Sequence, residues 1–579
     1  MLHKHSDRQK RPRTLVQHHH MDSYKGLEEA NLLPQQVQGL HLGTATKAEE
    51  HEGNHILSNR YKIPQRGIGE QTAYDLIHNE LTLDGNPHLN LASFVNTDAS
   101  DIARRLISEN MLKNLADNDE YPQLIEITQR CISMLAQLWK CDNEKDDPIG
   151  CATTGSSEAI MLGGLAMKKR WEHRMQDAGK SIAKPNIVMS SACQVALEKF
   201  ARYFEVECRL IPVSTKSHSC LDPKMLWDYV DENTIGAFVI LGTTYTGTLE
   251  NVEQVSEVLT EIENANPKWS NKDIPIHVDG ASGGFVVPFA FEEAQLAEYK
   301  MSRWGFNHPR VMSINTSGHK FGLTTPGLGW VLWKDESLLA SELKFKLKYL
   351  GGVEETFGLN FSRPGFQVIH QYYNLVTLGH QGFHSHFNKS LFVARAFCHE
   401  LLASPRMPNM FEVVSCIHER IADDKLPESV NDYWENPAHF KPGVPLAAFK
   451  LSREFHEKYP EIPQSMLSSM LRNRGWIIPN YPLPKSTDDS DQHEVLRVVF
   501  RTEMKLDLAQ LLLLDIERAV TKLLDSYKAV TESLANKGAD ENREFVYKML
   551  LTLASPSDDS APPEHKHRKS FSKNYRGTC

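Results

Sequence analysis

The spacing of apolar residues predicts helices and strands along most of the chain. Four of them fall on one helical face between positions 70 and 81, namely Ala73, Leu76, Ile77 and Leu81. The turn Asp84-Gly85-Asn86-Pro87 ends that helix. Short apolar runs then alternate with longer amphipathic stretches, among them IGAFVIL, IPIHVD, VMSIN and GWVLW. This alternation predicts an α/β unit with a mostly parallel sheet that is covered on both faces.

The spacing changes after about Asn388 and predicts a second, smaller α+β domain. Its elements are a strand at Leu446–Leu451, a helix ending near Gly475, strands at Trp476–Ile478 and Val495–Phe500, and a last helix. That helix carries one apolar stripe, formed by Leu508, Leu511, Leu512, Ile516, Ala519, Val520 and Leu523.

These patterns divide the chain into five parts. We predict a disordered, histidine-rich extension over 1–60, a helical segment over 61–90, a large domain over 91–388, a small domain over 389–530, and a C-terminal helix with a disordered tail over 531–579.

Composition narrows the classes of function. The 64 basic and 74 acidic residues give a net charge of -10, which argues against a nucleic-acid surface. The apolar runs are too short for a membrane-spanning helix, and the basic N-terminus lacks the apolar core of a secretory signal. Nine cysteines without a CxxC pair suit a reducing compartment, so we expect a cytoplasmic protein.

One motif resembles a zinc protease site. His51-Glu52-Gly53-Asn54-His55 matches H-E-x-x-H, in which two histidines on one helical face bind zinc. Gly53 and Asn54 are poor residues for a helix interior, however, and no third ligand lies nearby. We therefore expect a solvated polar stretch here and no metal.

A phosphate-binding turn is a better candidate. The segment Cys151–Ala159 precedes a helical pattern, and its Ser156 and Ser157 would begin that helix. Free N–H groups and the positive end of the helix dipole favour an anion at such a position. Taken alone, the segment is also simply a good helix start.

Two charged residues follow buried strands. Asp279 ends the run IPIHVD, and Lys320 follows VMSIN and a glycine-containing turn. Ligands of open α/β sheets bind at the carboxyl ends of the strands. Burial of a lysine in such a turn disfavours the charged form and frees the amine as a nucleophile. A P-loop requires glycine before its lysine and Ser or Thr after it. Lys320 is flanked by His319 and Phe321 instead, so a P-loop is excluded.

Pyridoxal 5'-phosphate (PLP) accounts for these residues together. It requires a lysine for covalent attachment, an acid beside the pyridine nitrogen and a cradle for the phosphate. Lys320, Asp279 and the Thr154–Ser157 turn supply one of each.

The chain also resembles the glutamate decarboxylases, PLP-dependent decarboxylases of fold type I. The similar stretches, in order, are LTLDGNPHLNLASF, EYPQ, TTGSSEA, QVALEKFARYFEVE, TTYTG, HVDGASGGF, SGHKFG, YLGG, NFSRPG and LRVVFR. The resemblance implies a large domain with a mostly parallel seven-stranded sheet and a small C-terminal α+β domain.

The resemblance also implies roles in the cofactor site. Lys320 would be the Schiff-base lysine and Asp279 the partner of the pyridine nitrogen. Gln194 and Ala281 would pack on opposite faces of the ring, with Thr244 beside it. The phosphate would be held by Ser156, Ser157, Ser317 and His319, and by Ser362 from a neighbouring subunit.

On the substrate side, the resemblance implies that Arg497 binds the α-carboxylate. Ser93 and Phe94, with Asp117 from the neighbour, would surround the side-chain carboxyl. Tyr349, in a loop, would be a candidate proton donor at Cα. Sites shared in this way imply a homodimer or a larger homo-oligomer.

The implied reaction converts L-glutamate to 4-aminobutanoate and carbon dioxide. Within the same fold, the alternative is another PLP-dependent amino-acid decarboxylase or carbon–carbon lyase. From a different class, the chain could be an inert scaffold whose basic tail, His565 to Arg576, binds a regulator. Intact Lys320, Asp279 and Arg497 argue against inertness, and a solvated tail is the simpler interpretation of that charge run.

Overall fold

The computed structural model describes residues 63–534 except 65–66, 118, 143, 348–353, 489 and 491–492. Residues 63–85 belong to one compact unit and residues 86–534 to another. The predictions for the histidine-rich extension, the H-E-x-x-H motif, Tyr349 and the tail beyond Leu534 lie outside the described residues.

The first described helix, α1, spans Glu70–Leu81, as its apolar spacing predicts. None of its residues is buried, however, and Leu76, Ile77 and Leu81 are exposed. The spacing therefore gave the helix bounds correctly but did not indicate burial within the chain.

A seven-stranded sheet forms the centre of the second unit. Its strands are β1 Ile149–Thr153, β2 Asn186–Ser190, β3 Glu207–Ile211, β4 Thr234–Ile240, β5 Ile276–Asp279, β6 Val311–Thr316 and β7 Gly329–Trp333. They lie in the order β1-β7-β6-β5-β4-β2-β3, and only β7 runs antiparallel to its neighbours. The mostly parallel sheet predicted from the alternation is thus confirmed.

Apolar side chains cover both faces of this sheet. All seven residues of β4 are buried. Phe238 and Ile240 pack into one apolar cluster, whereas Val239 and Leu241 pack into another. Because successive side chains of a strand point to opposite faces, such a strand has a continuous apolar run. The helices of this part are α2 Asp101–Asn110, α3 Pro122–Leu138, α4 Ser156–Asp177, α5 Val195–Tyr203, α6 Val252–Ala265, α7 Gly283–Ala290 and α8 Glu293–Glu298.

An antiparallel four-stranded sheet follows in the order β10-β11-β13-β12. Its strands are β10 Phe411–Val413, β11 Leu446–Leu451, β12 Asn480–Pro482 and β13 Glu494–Val499, and a separate pair is formed by β8 Phe345–Leu347 and β9 Glu354–Thr356. The later helices are α9 Phe366–Ala403, α10 Asp432–Glu435, α11 Arg453–Lys458, α12 Gln464–Asn473 and α13 Leu506–Leu534. The small α+β arrangement agrees with the sequence pattern.

One strand of the small sheet was placed wrongly from sequence. Residues 476–478 were expected to form a strand, but the strand begins at Asn480. The Trp476 indole instead donates a hydrogen bond to Asp515 of α13 at 3.0 Å, and Ile477 forms an isolated bridge with Asn90. Their apolar character therefore serves long-range contacts and not the sheet.

The last helix keeps most of its predicted stripe. Leu512, Ile516 and Leu523 are buried, whereas Leu511 is 44% exposed. No described helix has the length and apolarity needed to cross a bilayer. The predicted domain boundaries stay predictions.

Candidate active site

The site lies at the carboxyl ends of β5 and β6. Since β7 is antiparallel to both β6 and β1, β1 runs in the same direction as β6. The turn after β1 therefore reaches the same edge of the sheet as Asp279 and Lys320, the edge where α/β sheets bind ligands.

Lys320 projects its amine into a partly apolar space. Nζ lies 3.4 Å from Ser282 Oγ and 5.1 Å from the centroid of the Phe94 ring. Burial lowers the pKa of Lys320 to about 8, with Asp279 acting in the opposite direction and Arg497 lowering it further. A much larger share of this amine is therefore neutral at physiological pH than in an exposed lysine.

Asp279 is buried, at 3% exposure, at the end of β5. Its Oδ1 accepts hydrogen bonds from the Ala281 N–H and from the Asn315 amide, both at 3.0 Å. Both bonds arrive at the same oxygen, so Oδ2 is left to meet a ligand.

The turn after β1 has the properties of an anion site. Helix α4 begins at Ser156, and no described side chain caps its first N–H groups. Ser156 Oγ lies 2.7 Å from Ser317 Oγ, and both hydroxyls are buried. A Cβ at Gly155 would lie 3.2 Å from the His319 ring, so glycine permits the close approach of turn and ring.

His319 is held as a neutral donor. Its Nδ1 accepts the Leu328 N–H at 3.2 Å, which places the proton of the neutral ring on Nε2. Burial lowers the pKa of His319 to about 4, and Lys320 adds to that shift. Nε2–H is therefore available to a phosphate oxygen, together with the two serine hydroxyls. Ser157 is exposed beside them.

Arg497 contacts the same aromatic ring as Lys320, that of Phe94. Its guanidinium donates to the Thr244 carbonyl at 2.8 Å and to the Ala92 carbonyl. It also lies 4.9 Å from the centroid of the Phe94 ring. This buried, fully oriented cation is suited to a carboxylate.

The segment that carries Ser93 is tied to the small sheet. Ser93 Oγ accepts the Val95 N–H at 3.0 Å, so its own proton is available to a ligand. Arg501 donates to the carbonyls of Ser93 and Val95 at 2.9 and 3.2 Å. These bonds fix the backbone of the segment beside Phe94.

Ala281 adjoins the site, whereas the hydrogen bond of Gln194 is made within its own helix. Gln194 is exposed and its Oε1 caps helix α5 by accepting the Ala196 N–H at 2.7 Å. Ala281 is partly buried, and its carbonyl accepts the Ser317 N–H at 3.3 Å.

Asp117 and Ser362 lie together in a second group. Asn114 Nδ2 donates to Asp117 Oδ1 at 2.9 Å and lies 3.4 Å from Ser362 Oγ. Among the described residues, neither Asp117 nor Ser362 forms a hydrogen bond to Lys320, Asp279 or Arg497. The structure thus brings together the two residues that the resemblance assigns to a neighbour's site.

Sequence reasoning missed three residues of the site. Ser282 is the hydrogen-bond partner of the Lys320 amine, Asn315 holds Asp279, and the Tyr481 ring lies 5.4 Å from the Arg497 guanidinium. Period-two alternation along VMSIN and IPIHVD places Asn315 on the face of Asp279 and could have indicated it. Tyr481 carried no such signal.

The residues fit PLP by their chemistry. A lysine of lowered pKa, a buried carboxylate two residues from a glycine-rich turn, and uncapped N–H groups flanked by two hydroxyls meet at one edge of a mostly parallel sheet. This combination defines a fold-type-I PLP-dependent enzyme. The family model described as "Pyridoxal-dependent decarboxylase conserved domain" matches residues 70–420.

Individual relatives narrow the class. The chain is 69% identical over 531 residues to a glutamate decarboxylase of Saccharomyces cerevisiae, covering 90% of this chain and 91% of the yeast protein. It is 40% identical to glutamate decarboxylase 1 of Arabidopsis thaliana over 80% of this chain and 83% of the plant protein. A solved glutamate decarboxylase of Lactobacillus brevis matches with a TM-score of 0.69 and 33% identity, over 82% of this chain and 97% of the bacterial one. The chain belongs to the glutamate decarboxylase family.

Proposed function

We propose that this protein decarboxylates L-glutamate to 4-aminobutanoate and carbon dioxide with PLP as cofactor. One observation carries the proposal: Lys320 Nζ and the Arg497 guanidinium lie 5.1 and 4.9 Å from the centroid of the same ring, that of Phe94. The amine that would anchor the cofactor and the cation that would bind a carboxylate therefore both contact Phe94, and the charge of Arg497 lowers the pKa of Lys320.

The residues of the chain orient and polarise the reactants. Arg497 would hold the α-carboxylate of the substrate, and Asp279 would stabilise a proton on the pyridine nitrogen of bound PLP. Bound PLP supplies the electron sink for the pair left behind when carbon dioxide departs. Ser156, Ser317 and His319 would hold the phosphate, and Tyr349 would be the candidate proton donor to Cα.

Specificity for glutamate rests on the segment around Ser93. The Ser93 oxygen accepts the Val95 N–H, so the hydroxyl proton is free to be donated. We propose that it is donated to the distal carboxylate of the substrate. A substrate shortened by one methylene would leave this donor unpaired while Arg497 is engaged, which costs affinity.

We propose a homodimer or a larger homo-oligomer with shared sites. Asn114 joins Asp117 to Ser362, and neither of these two residues forms a hydrogen bond to Lys320, Asp279 or Arg497 among the described residues. Mixing Lys320→Ala chains with Asp117→Ala chains tests the sharing, because a hybrid dimer contains one intact site. Recovery of up to about a quarter of the wild-type activity is expected from random pairing; recovery of none would contradict sharing.

We further propose a cytoplasmic location. Nine cysteines without a CxxC pair support it, since thiols stay reduced in that compartment. Fluorescence imaging of the tagged full chain tests this proposal.

The central experiment uses the purified full chain. We expect a visible absorbance from lysine-bound PLP, its loss in Lys320→Ala, and its retention in Lys334→Ala, a matched lysine that donates to the Phe306 carbonyl. Product analysis with glutamate, aspartate and cysteine sulfinate then identifies the substrate. A colourless wild-type chain would overturn the proposal. If another acid were turned over faster than glutamate, that acid would be assigned as the substrate.

A further inference from the structure

Four polar side chains form a continuous hydrogen-bonded row on one face of the large sheet. The parallel register pairs His277 with Ser313 and Asp279 with Asn315 on strands β5 and β6. Since residues i and i+2 of a strand share a face, all four side chains lie on the same side. His277, Ser313 and Asn315 are at most 1% exposed.

The distances in this row are short. His277 Nδ1 lies 2.7 Å from Ser313 Oγ, and His277 Nε2 lies 2.7 Å from Asn315 Oδ1. Asn315 Nδ2 then donates to Asp279 Oδ1 at 3.0 Å. The row therefore ends on Asp279, the carboxylate that would contact the pyridine nitrogen of PLP in the proposed function.

The acceptor at its end fixes the direction of every bond. Asn315 Nδ2 donates to Asp279 Oδ1, so the carbonyl oxygen of the same amide is presented to His277. His277 Nε2 must then donate, which leaves Nδ1 of a neutral ring to accept the Ser313 hydroxyl proton. All the dipoles point toward Asp279, and hydrogen bonds arranged head to tail strengthen one another.

The surroundings hold the imidazole in this orientation. A Cβ on Gly163 of α4 would lie 2.4 Å from both Cε1 and Nδ1 of His277, so the helix backbone lies directly against the ring. The Phe238 ring meets the imidazole edge to face at 5.3 Å. Burial lowers the pKa of His277 to about 4, against the raising effects of Asn315 and Asp279, which keeps the ring neutral.

We propose that Asn315 and His277 are positioning residues that act through Asp279. They hold Oδ1 by a polarised hydrogen-bonded row, and so direct Oδ2 to the pyridine nitrogen. This inference rests on the proposed function, because it requires the Asp279 contact with that nitrogen.

The test compares PLP with 1-deaza-PLP, in which a carbon replaces the pyridine nitrogen. Equilibrium dissociation constants of both cofactors are measured for the full wild-type chain and for Asn315→Leu. We expect wild type to prefer PLP by at least about tenfold, the worth of a charged hydrogen bond. In Asn315→Leu the preference should fall below about threefold, because only the contact to the nitrogen is weakened.

Two further variants separate the row from general packing. His277→Phe keeps a ring but removes both hydrogen bonds, and should lose the preference for PLP as Asn315→Leu does. His277→Gln carries an N–H near the position of Nε2 and should retain most of it. Asn186→Leu removes a buried asparagine at the amino end of β2 and serves as the control that leaves the preference unchanged.

A spectroscopic measurement provides a second readout. The ¹⁵N chemical shift of bound PLP labelled at the ring should report a protonated nitrogen in wild type and a smaller protonated fraction in Asn315→Leu. The positioning role would be overturned if Asn315→Leu lost affinity equally for PLP and 1-deaza-PLP, so that the preference for PLP stayed unchanged. A wild-type chain without any preference would overturn the Asp279 contact and the positioning role with it, whereas formation of 4-aminobutanoate tests the reaction separately.

Discussion

Glu158 accepts both the backbone N–H and the side-chain amide of Asn360, at 3.0 and 2.9 Å. The same carboxylate accepts the N–H and hydroxyl of Thr154, at 2.8 and 3.0 Å. One buried glutamate in the first turn of α4 therefore joins the proposed phosphate turn to the segment that contains Ser362.

Glu158→Gln should weaken cofactor binding. Three of the four donors bind Oε2 and one binds Oε1, so the amide loses at least one hydrogen bond and sets an N–H group against a donor, which loosens the turn before Ser156. We expect the PLP dissociation constant to rise about tenfold. Fluorescence titration of the apoenzyme measures it, with Glu172→Gln on the same helix as the control. An unchanged constant would show that Glu158 does not support the turn.

Arg497→Lys should impair use of glutamate more than it impairs folding. A lysine cannot reach both carbonyls and also present two parallel N–H groups to a carboxylate. We expect kcat/KM for glutamate to fall roughly 100-fold. Arg395→Lys is the matched control, because Arg395 is also buried, bonded to backbone carbonyls and packed on an aromatic ring. Arg395→Lys should lower Tm and leave KM for glutamate near the wild-type value. If Arg395→Lys instead raised KM while Arg497→Lys lowered only Tm, the assignment of Arg497 would be refuted.

Capture of PLP by the apoenzyme should level off near pH 8. Only the neutral amine attacks the aldehyde, and the pKa of Lys320 is about 8, against 10.5 for an ordinary lysine. Below that value the rate should rise about tenfold per pH unit. Asp279 raises this pKa, so Asp279→Asn should move the midpoint to lower pH. Stopped-flow absorbance gives the profile, and a rate still rising at pH 10 would contradict the lowered pKa.

The folded chain should lose stability as the pH falls from 6.5 to 4. Burial lowers the pKa of His277 to about 4 and that of His418 to about 3, so in this window the unfolded chain binds protons that the folded chain does not. Each pH unit of difference is worth about 1.4 kcal/mol per group. Glu250, whose pKa burial raises to about 7, acts in the opposite direction.

Urea unfolding at fixed protein concentration measures this dependence. Glu250→Gln removes the opposing contribution and should make the loss toward acid steeper. A free energy of unfolding that increases from pH 6.5 to 4 would show that the buried histidines do not dominate.

Local patterns predicted the elements that depend on local information. β11 has the predicted bounds Leu446–Leu451, because an apolar run between turn residues specifies a buried strand wherever it pairs. Trp476 failed as a strand residue because its partner, Asp515, lies far along the chain. Neither propensity nor periodicity contains that information.

The same division holds for the candidate site. Lys320 and Asp279 could be found because each follows a recognisable buried strand. The shared contact of Lys320 and Arg497 with Phe94 could not, since it joins three distant segments. The sequence shows which residue types stand at the ends of strands. Which of these ends lie next to each other is known only from the folded sheet.

The ties between the segment around Ser93 and the small sheet have a consequence for biosynthesis. Arg497 and Arg501 bind carbonyls that precede them by 405 to 414 residues. At ordinary translation speeds, roughly 20 to 80 s separate the synthesis of the two ends of these bonds. Strand β5, which ends at Asp279, and strand β6, which precedes Lys320, can pair on the ribosome before then. The substrate half of the cleft can therefore close only when the chain is almost complete, so a nascent protein does not expose a finished active site.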